Sequence, residues 1–347
     1  MPLPTKAMVH VDPMLTNIAS SWFIGTALGG QFFAGEKLFP LVNTTEISAR
    51  IFQYDRRDLF RVHDVRPRAP ATESQGSGYR LDNTDQYLCK EWAFHKDIGY
   101  EEPAYATAPI NMDRDATNFV TQLMMLKRDY LISMAAFNTG IWGNDVTGVN
   151  AATNYGANQV RRWQDWTTPS APHQDVDYFR NWMELASGGF RPNKMAIGVN
   201  VWDALKHHPT IIARYVFTQS GGVPEATPKM VADFLELDEI IVLRTVANYG
   251  PEGGQWDGRR IFPANDALLY YTPGAPSLTL PSAGYTMGWT GANHAGTSVT
   301  IKRFPLANDA QGDRIVGSIH MDIHVMEPIL GVYFSGLTTG GITQVVI

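Results

Sequence analysis

The segment from Glu46 to Ile110 most constrains what this chain can fold into. It is long and polar and carries seven arginines, Arg50, Arg56, Arg57, Arg61, Arg66, Arg68 and Arg80, with no lysine before Lys90. Its short apolar groups, Ile51, Phe52, Tyr54, Leu59 and Phe60, form no helical stripe, and a Pro- and Gly-rich tip, RPRAPATESQGSGY, follows them. Such a segment cannot build a core of its own, and a long loop of this kind in a compact monomer needs a special role. FQYDRRDLFRV leads outward, and YRLDNTDQYLCKEWAFHK leads back with strand-like alternation. The pattern predicts a projecting, hairpin-like excursion from Thr45 to about Leu88.

Charge suggests what the excursion meets. Between Arg50 and Arg80 the seven arginines face Asp55, Asp58, Asp64 and Glu73, a local +3 on a chain of net −6. A basic arm on an acidic body suits self-association, because each copy offers both partners. A solvated, internally paired surface has the same composition. The expected intersubunit contacts are Arg50, Arg56, Arg57, Arg61, Arg66, Arg68, Glu73 and Arg80.

With 347 residues, about two domains are expected. A composition of 44% hydrophobic and 18% charged residues argues against global disorder. The mild acidity gives no sign of a nucleic-acid-binding surface, which needs a basic excess. Cys89 is the only cysteine, so no disulfide and no thiolate metal site forms within one chain. The start, MPLPTKAMVHVDPML, has no signal-peptide pattern, and no apolar run is long enough to span a membrane. A cytoplasmic setting is expected.

Along the chain, residues 1–45 read as an arm. A short amphipathic helix is expected over Pro13 to Ser21, with Leu38, Phe39, Leu41 and Val42 entering extended structure. From Asp113 to Phe137 the apolar residues Ala116, Phe119, Val120, Leu123, Leu126, Tyr130, Leu131, Met134 and Phe137 recur at steps of mostly three and four. That is one long helix, roughly 37 Å at ~1.5 Å per residue. Asn111 or Asp113 caps its start and Gly140 stops it.

Trp142 to Pro172 is Asn-, Gly- and Trp-rich and reads as a loop, a surface insertion. Helix is expected over Val176 to Ser187, over Val201 to Val216 with a break at Pro209, and over Pro228 to Glu236. Strands are expected at Met195 to Val201, in ELDEIIVLRTVANY and at Asp266 to Pro273. The tail is β, over Thr297 to Pro305 and Asp313 to Glu327. The second of these runs is long enough to lie along the long helix.

Chemistry is sparse. There is no P-loop, no GxGxxG after a strand and no GxSxG elbow. His320, Asp322 and His324 share one face of a strand and could hold a metal. The plainer reading makes that face the outward one, with Ile319, Met321, Ile323 and Val325 pointing inward. His207 and His208 precede Pro209, where capping fits better than catalysis. Glu101 and Glu102 are adjacent in extended chain, so they do not form an acid/base pair. Trp163 and Trp166 could bind sugar, or anchor an interface. No catalytic residue, cofactor or metal is expected, and the chain does not read as an enzyme.

The order of these parts resembles the major capsid protein of tailed double-stranded DNA phages, the Hong Kong 97-type fold. The likeness rests on RAPATESQGSGYRLDNTDQYLCKEWAFHKDIG, DRDATNFVTQLMMLKRD and SMAAFNTGIWG, then on FRPNKMAIGVNVWDALKHHPTII, PSAGYTMGWTG and the final LGVYFSG. It implies an α+β fold with an N-terminal arm (1–45), an extended loop (46–93) and a peripheral domain (94–172) on a spine helix (113–137). An axial domain (173–280) follows, then return strands and a tail (281–347).

The resemblance implies self-assembly into hexamers and pentamers of an icosahedral head that encloses double-stranded DNA without sequence-specific binding. It implies assembly in the host cytoplasm and a place in the virion. Portal and decoration or cement proteins would be further partners, and so would a scaffold, expected as a separate protein because the chain starts directly at the arm. Some relatives join subunits covalently through a lysine near the loop tip. This tip has arginines and no lysine, so salt bridges are expected instead. The alternatives are a shell protein of an encapsulating nanocompartment, a tail or baseplate component, and a carbohydrate-binding β-rich protein.

Overall fold

The computed structural model describes residues 33–101, 111–150, 156–166, 170–216, 226–276, 280–292, 294–306, 311–340 and 344–346. The helix expected over Pro13 to Ser21 lies outside them, as does Glu102.

The described chain opens with a one-turn helix, α1 (Gly35–Leu38), and strand β1 (Leu41–Thr44). The excursion follows, with β2 (Ser48–Arg50), β3 (Gln53–Tyr54), α2 (Arg56–Leu59), β4 (Leu81–Asp82) and β5 (Gln86–Leu88). β6 (Lys90–Gly99) precedes the long helix α3 (Met112–Ala136). Next come β7 (Asn144–Val149), β8 (Gln159–Arg161), α4 (Pro172–Ser187), β9 (Lys194–Gly198), α5 (Val199–Lys206), α6 (Pro209–Val216) and α7 (Pro228–Phe234). Strands complete the chain: β10 (Glu239–Leu243), β11 (Val246–Asn248), β12 (Asp257–Arg260), β13 (Ala267–Tyr270), β14 (Gly284–Trp289), β15 (Thr300–Pro305), β16 (Gly312–Val325), β17 (Gly331–Ser335) and β18 (Gln344–Val346).

Two sheets carry the architecture. In the first, β16 is the axis. It pairs antiparallel with β6 over Gly312 to Met321, with β15 over Asp313 to Ser318, and with β14 over Met321 to Val325. β1 adds parallel to β14. The second sheet has the order β10-β9-β13-β17-β7-β8 and mixes parallel and antiparallel pairs. Both its faces are covered, so its strands read as continuous apolar runs. Met195, Ile197, Ala267, Leu269, Val332 and Phe334 enter one core, with Phe179 and Met183 of α4 and Val231 of α7. Their neighbours Ala196, Leu268, Tyr270 and Tyr333 enter the other core, with Ile132 and Ala136 of α3. The period of two sorts one strand between two cores.

Helix α3 spans both sheets. The Asn111 side chain accepts the Arg114 backbone N–H at 3.0 Å and caps its start. Near that end Ala116 packs with Ile98 and Ile315, and further along Met124 packs with Ile319 and Met321. Gly317 of β16 lies so close to Val120 that a Cβ there would collide with it. The long strand therefore runs along the long helix, as expected.

The buried face departs from the expected stripe. Ala116 and Val120 belong to it, but Phe119 and Met134 are exposed, while Met124, Arg128, Asp129 and Ile132 are buried. Phe119 packs edge-on against Phe94 of β6 instead. The charged pair sits inside because it has work there. Asp129 accepts the Gly35 backbone N–H at 3.0 Å and the Thr245 hydroxyl at 2.7 Å. Arg128 reaches Glu36 at 3.0 Å. Burial pushes the Asp129 carboxyl up to about 6. These contacts fix α1, so Leu38 is the end of a helical turn rather than extended chain, which starts beyond it.

The stretch from Trp142 to Pro172 is not a surface insertion. It supplies β7 and β8 to the second sheet, and Trp142 and Trp163 are buried. Of the strands in residues 173–280, β9, β10 and β13 thus share a sheet with β7, β8 and β17, while β11 and β12 form a small sheet with β18. Gly188 adopts φ +88° and ends α4 in the left-handed conformation glycine favours.

Candidate assembly interface

The excursion from Glu46 is rooted on one face of β16. His320, Asp322 and His324 do share that face, and each meets the returning limb. His320 stands opposite Glu91 in the β6–β16 register, with Nε2 3.7 Å from the carboxylate. Asp322 accepts the Leu88 backbone N–H at 3.0 Å. His324 Nε2 lies 2.6 Å from the Asp85 carboxylate. The outgoing limb is held too. Gln53 donates to the Met326 carbonyl at 3.0 Å, and Trp289 Nε1 donates to the Thr45 carbonyl at 3.0 Å. Ile51, Tyr87 and Cys89 pack between them with Tyr285 and Met287. Burial, with the Asp322 charge, pushes the Cys89 thiol up, which makes it an inert core residue.

The face is therefore not simply outward. His320 is buried, under Trp289 and His294, whose rings lie 5.1 Å and 4.0 Å from its own. Strand periodicity gives the shared face but not the loop that folds over it.

Beyond the root the limbs pair as β2 with β5 and β3 with β4. Tyr54 and Tyr79 meet across them at 5.6 Å. Phe60 then rests on Gly188 at the end of α4, where a Cβ would lie 2.9 Å from the ring. From there to Gly78 every residue but Asp64 is exposed.

Two features of this projection call for a partner. Among the described residues, ten large hydrophobic side chains between Ile47 and Leu88 are exposed, with Val62 at 81% and Val65 at 87%. A monomer rarely leaves so many large apolar side chains of one segment in water. The arginines are unevenly committed. Arg61 pairs with Asp58 at 3.6 Å and Asp64 at 3.2 Å and donates to the Gly78 carbonyl at 2.6 Å. Arg80 reaches Asp58 only at 3.9 Å. Arg56 lies in the field of Glu327, whose carboxyl is pushed up by burial and drawn back by that charge. Arg50, Arg57, Arg66, Arg68 and Glu73 make no ion pair among the described residues. Arg61 is thus an internal brace.

The other candidates resolve as structure. His208 is buried. Its Nδ1 accepts the Thr210 backbone N–H at 3.3 Å at the start of α6, and its Nε2 meets the Ser170 hydroxyl at 2.7 Å. Burial, then His173, lowers it to about 4. Ser170 is buried as well, so the pair is sealed from any substrate. Trp163 is fully buried and donates to Asp175 at 3.0 Å, which leaves Trp166 alone exposed and no paired sugar platform. No helix among the described residues is long and apolar enough to cross a membrane.

Comparison with known proteins decides the family. Residues 125–309, about half of the chain, match the family described as phage major capsid protein E.

The chain belongs to the phage major capsid protein E family.

It is 25% identical over 284 residues to the major capsid protein of Burkholderia phage BcepMu, covering 80% of this chain and 83% of the relative. Among solved structures, a phage-related protein from Bordetella bronchiseptica RB50 is similar with a TM-score of 0.62 and 19% identity, over 95% of this chain and 99% of that one. The capsid of Myoviridae phage XM1 is similar with a TM-score of 0.51 and 12% identity, over 97% and 99%. The fold is the α+β Hong Kong 97-type capsid fold. The protein is thus a phage major capsid protein, a structural component of the virion shell that associates with its own kind.

Proposed function

We propose that this capsid protein forms hexamers and pentamers of an icosahedral head around double-stranded DNA, with the extended loop of each subunit clasping its neighbour. The observation that carries this reading is the surplus of exposed apolar side chains and unpaired arginines on residues 46–93. Buried against a neighbour, that surface would supply both the apolar centre and the charged rim of an interface. Arg50, Arg56, Arg57, Arg66, Arg68, Glu73 and Arg80 make the intersubunit contacts. Arg61 shapes the limb that presents them.

In this reading residues 1–45 are the arm, and 94–172 with 281–347 form a peripheral domain on α3. Residues 173–280 form the axial domain. The role is mechanical and involves no catalysis. The arginine tip offers guanidinium groups for bidentate pairing and no lysine for an isopeptide bond, so the clasp is non-covalent. Assembly takes place in the host cytoplasm, with portal, scaffolding and decoration proteins as further partners, and the DNA is enclosed without sequence-specific contacts.

Electron microscopy of the purified protein tests the reading. Shells, or rings of five and six subunits, are expected. A monodisperse monomer that never associates at high concentration would contradict it.

A further inference from the structure

Three side chains at the root of the extended loop converge without satisfying one another. Glu91 lies on β6, His320 on β16, and His294 in the turn between β14 and β15. One ligand atom from each lies within 4.8 Å of the other two. Glu91 and His320 are register partners across an antiparallel pair, which forces their side chains onto one face. The His294 and His320 rings are 4.0 Å apart, and the Trp289 ring lies 5.6 Å from His294 at an interplanar angle of 26°. The Nδ1 atoms of both histidines are buried and without a hydrogen-bond partner. His320 is only 5% exposed, so its unpartnered nitrogen carries a desolvation cost that nothing on the chain repays.

We propose that this cluster is a site for a divalent transition cation of the Zn²⁺ type, held by two imidazoles and one carboxylate. Two nitrogen ligands and one oxygen suit such an ion and leave a fourth position for water. Ca²⁺ and Mg²⁺ prefer oxygen ligands, and the cluster offers one carboxylate against two imidazoles. Ligand atoms about 2.0–2.2 Å from a tetrahedral ion stand roughly 3.3–3.6 Å apart. His320 Nε2 lies 3.7 Å from the Glu91 carboxylate, and the exposed Glu91 side chain is free to rotate toward either ring nitrogen.

The ion would join three separate pieces of chain. Glu91 continues the returning limb of the loop. The β14–β15 turn carries His294 beside Trp289, which holds Thr45 at the start of the outgoing limb. His320 is on the central strand. One ion would thus fasten both limbs to the sheet and stiffen the platform from which the loop projects.

The test uses the full chain, freed of metal with a chelator and titrated with ZnCl₂ by calorimetry and by thermal melting. One Zn²⁺ per chain and a raised melting temperature are expected, with no shift from Mg²⁺ or Ca²⁺. His294→Gln, at a half-buried position, is expected to weaken binding more than about tenfold and abolish the shift. Glu91→Gln, at an exposed position, serves the same purpose should His294→Gln not fold. No binding by the wild type, or unchanged binding by the variant that folds, would overturn the proposal.

Discussion

His324 Nε2 lies 2.6 Å from the Asp85 carboxylate, and this contact ties the returning limb of the extended loop to the central strand β16. Asp322 repeats the device two residues earlier by accepting the Leu88 N–H. The loop projects from a fixed base, so its contacts can be aimed at a neighbour without a large ordering cost on assembly.

Loosening that base should be visible locally. His324→Ala or Asp85→Ala removes a hydrogen bond worth roughly 0.5–1.5 kcal/mol net. Amide exchange at residues 85–88 is expected to quicken about three- to tenfold, with a small fall in melting temperature. Unchanged exchange at Leu88 would mean the contact does not hold the limb.

Charge reversal separates folding from assembly. Arg57, Arg66 and Arg68 make no ion pair among the described residues and are exposed. Replacing all three by Glu should change subunit stability by no more than about 0.5 kcal/mol per site. The assembled fraction, measured by sedimentation, should fall sharply. Raising the salt concentration should weaken wild-type assembly in the same direction.

Asp175 gives a pH signature. Burial raises its carboxyl from 3.8 to about 6, while the Trp163 N–H opposes the rise. A raised carboxyl pKa means stability fully present below about pH 4 and lost as pH climbs through 6. Asp175→Asn keeps an acceptor for Trp163 and has no charge to bury. It should be more stable than wild type at pH 8, by up to about 2–3 kcal/mol, and lose that advantage near pH 4. Melting curves at the two pH values check this.

The contact between β16 and α3 is equally testable. Gly317→Ala would drive a methyl group into Val120, and overpacking of this kind costs about 1–3 kcal/mol. Gly76→Ala meets no atom within 4 Å and is the neutral control. Denaturant titration of both variants should separate them clearly.

Much of this was legible in the sequence, for physical reasons that differ by segment. The Asn111 cap and the three-four spacing reveal α3, and the alternation in DRIVGSIHMDIHVME reveals β16. The buried Arg128–Asp129 pair was not legible, because its partners Glu36, Gly35 and Thr245 lie far away in sequence. β7 and β8 were missed for another reason. They are short and lie in a segment rich in Asn, Gly and Trp, where turn residues outweigh strand signals. The Glu91–His294–His320 cluster depends on strand register and a turn, and no local spacing encodes either. The loop itself could be read as an excursion from its arginines and its missing stripe. That Arg61 braces it internally could not.

The central claim is that residues 46–93 are an intersubunit clasp. The Asp55 N–H donates to the Arg80 carbonyl at 3.2 Å, so the limbs are close enough there to be joined by a short turn. Deleting Arg56 to Gly78 and closing the gap with Asn-Gly should leave the β3–β4 pair and both sheets intact. Electron microscopy beside a thermal melt is the direct measurement. A cooperatively folded subunit that forms no shells is the expected result, and shells of normal stability from the deleted chain would contradict it.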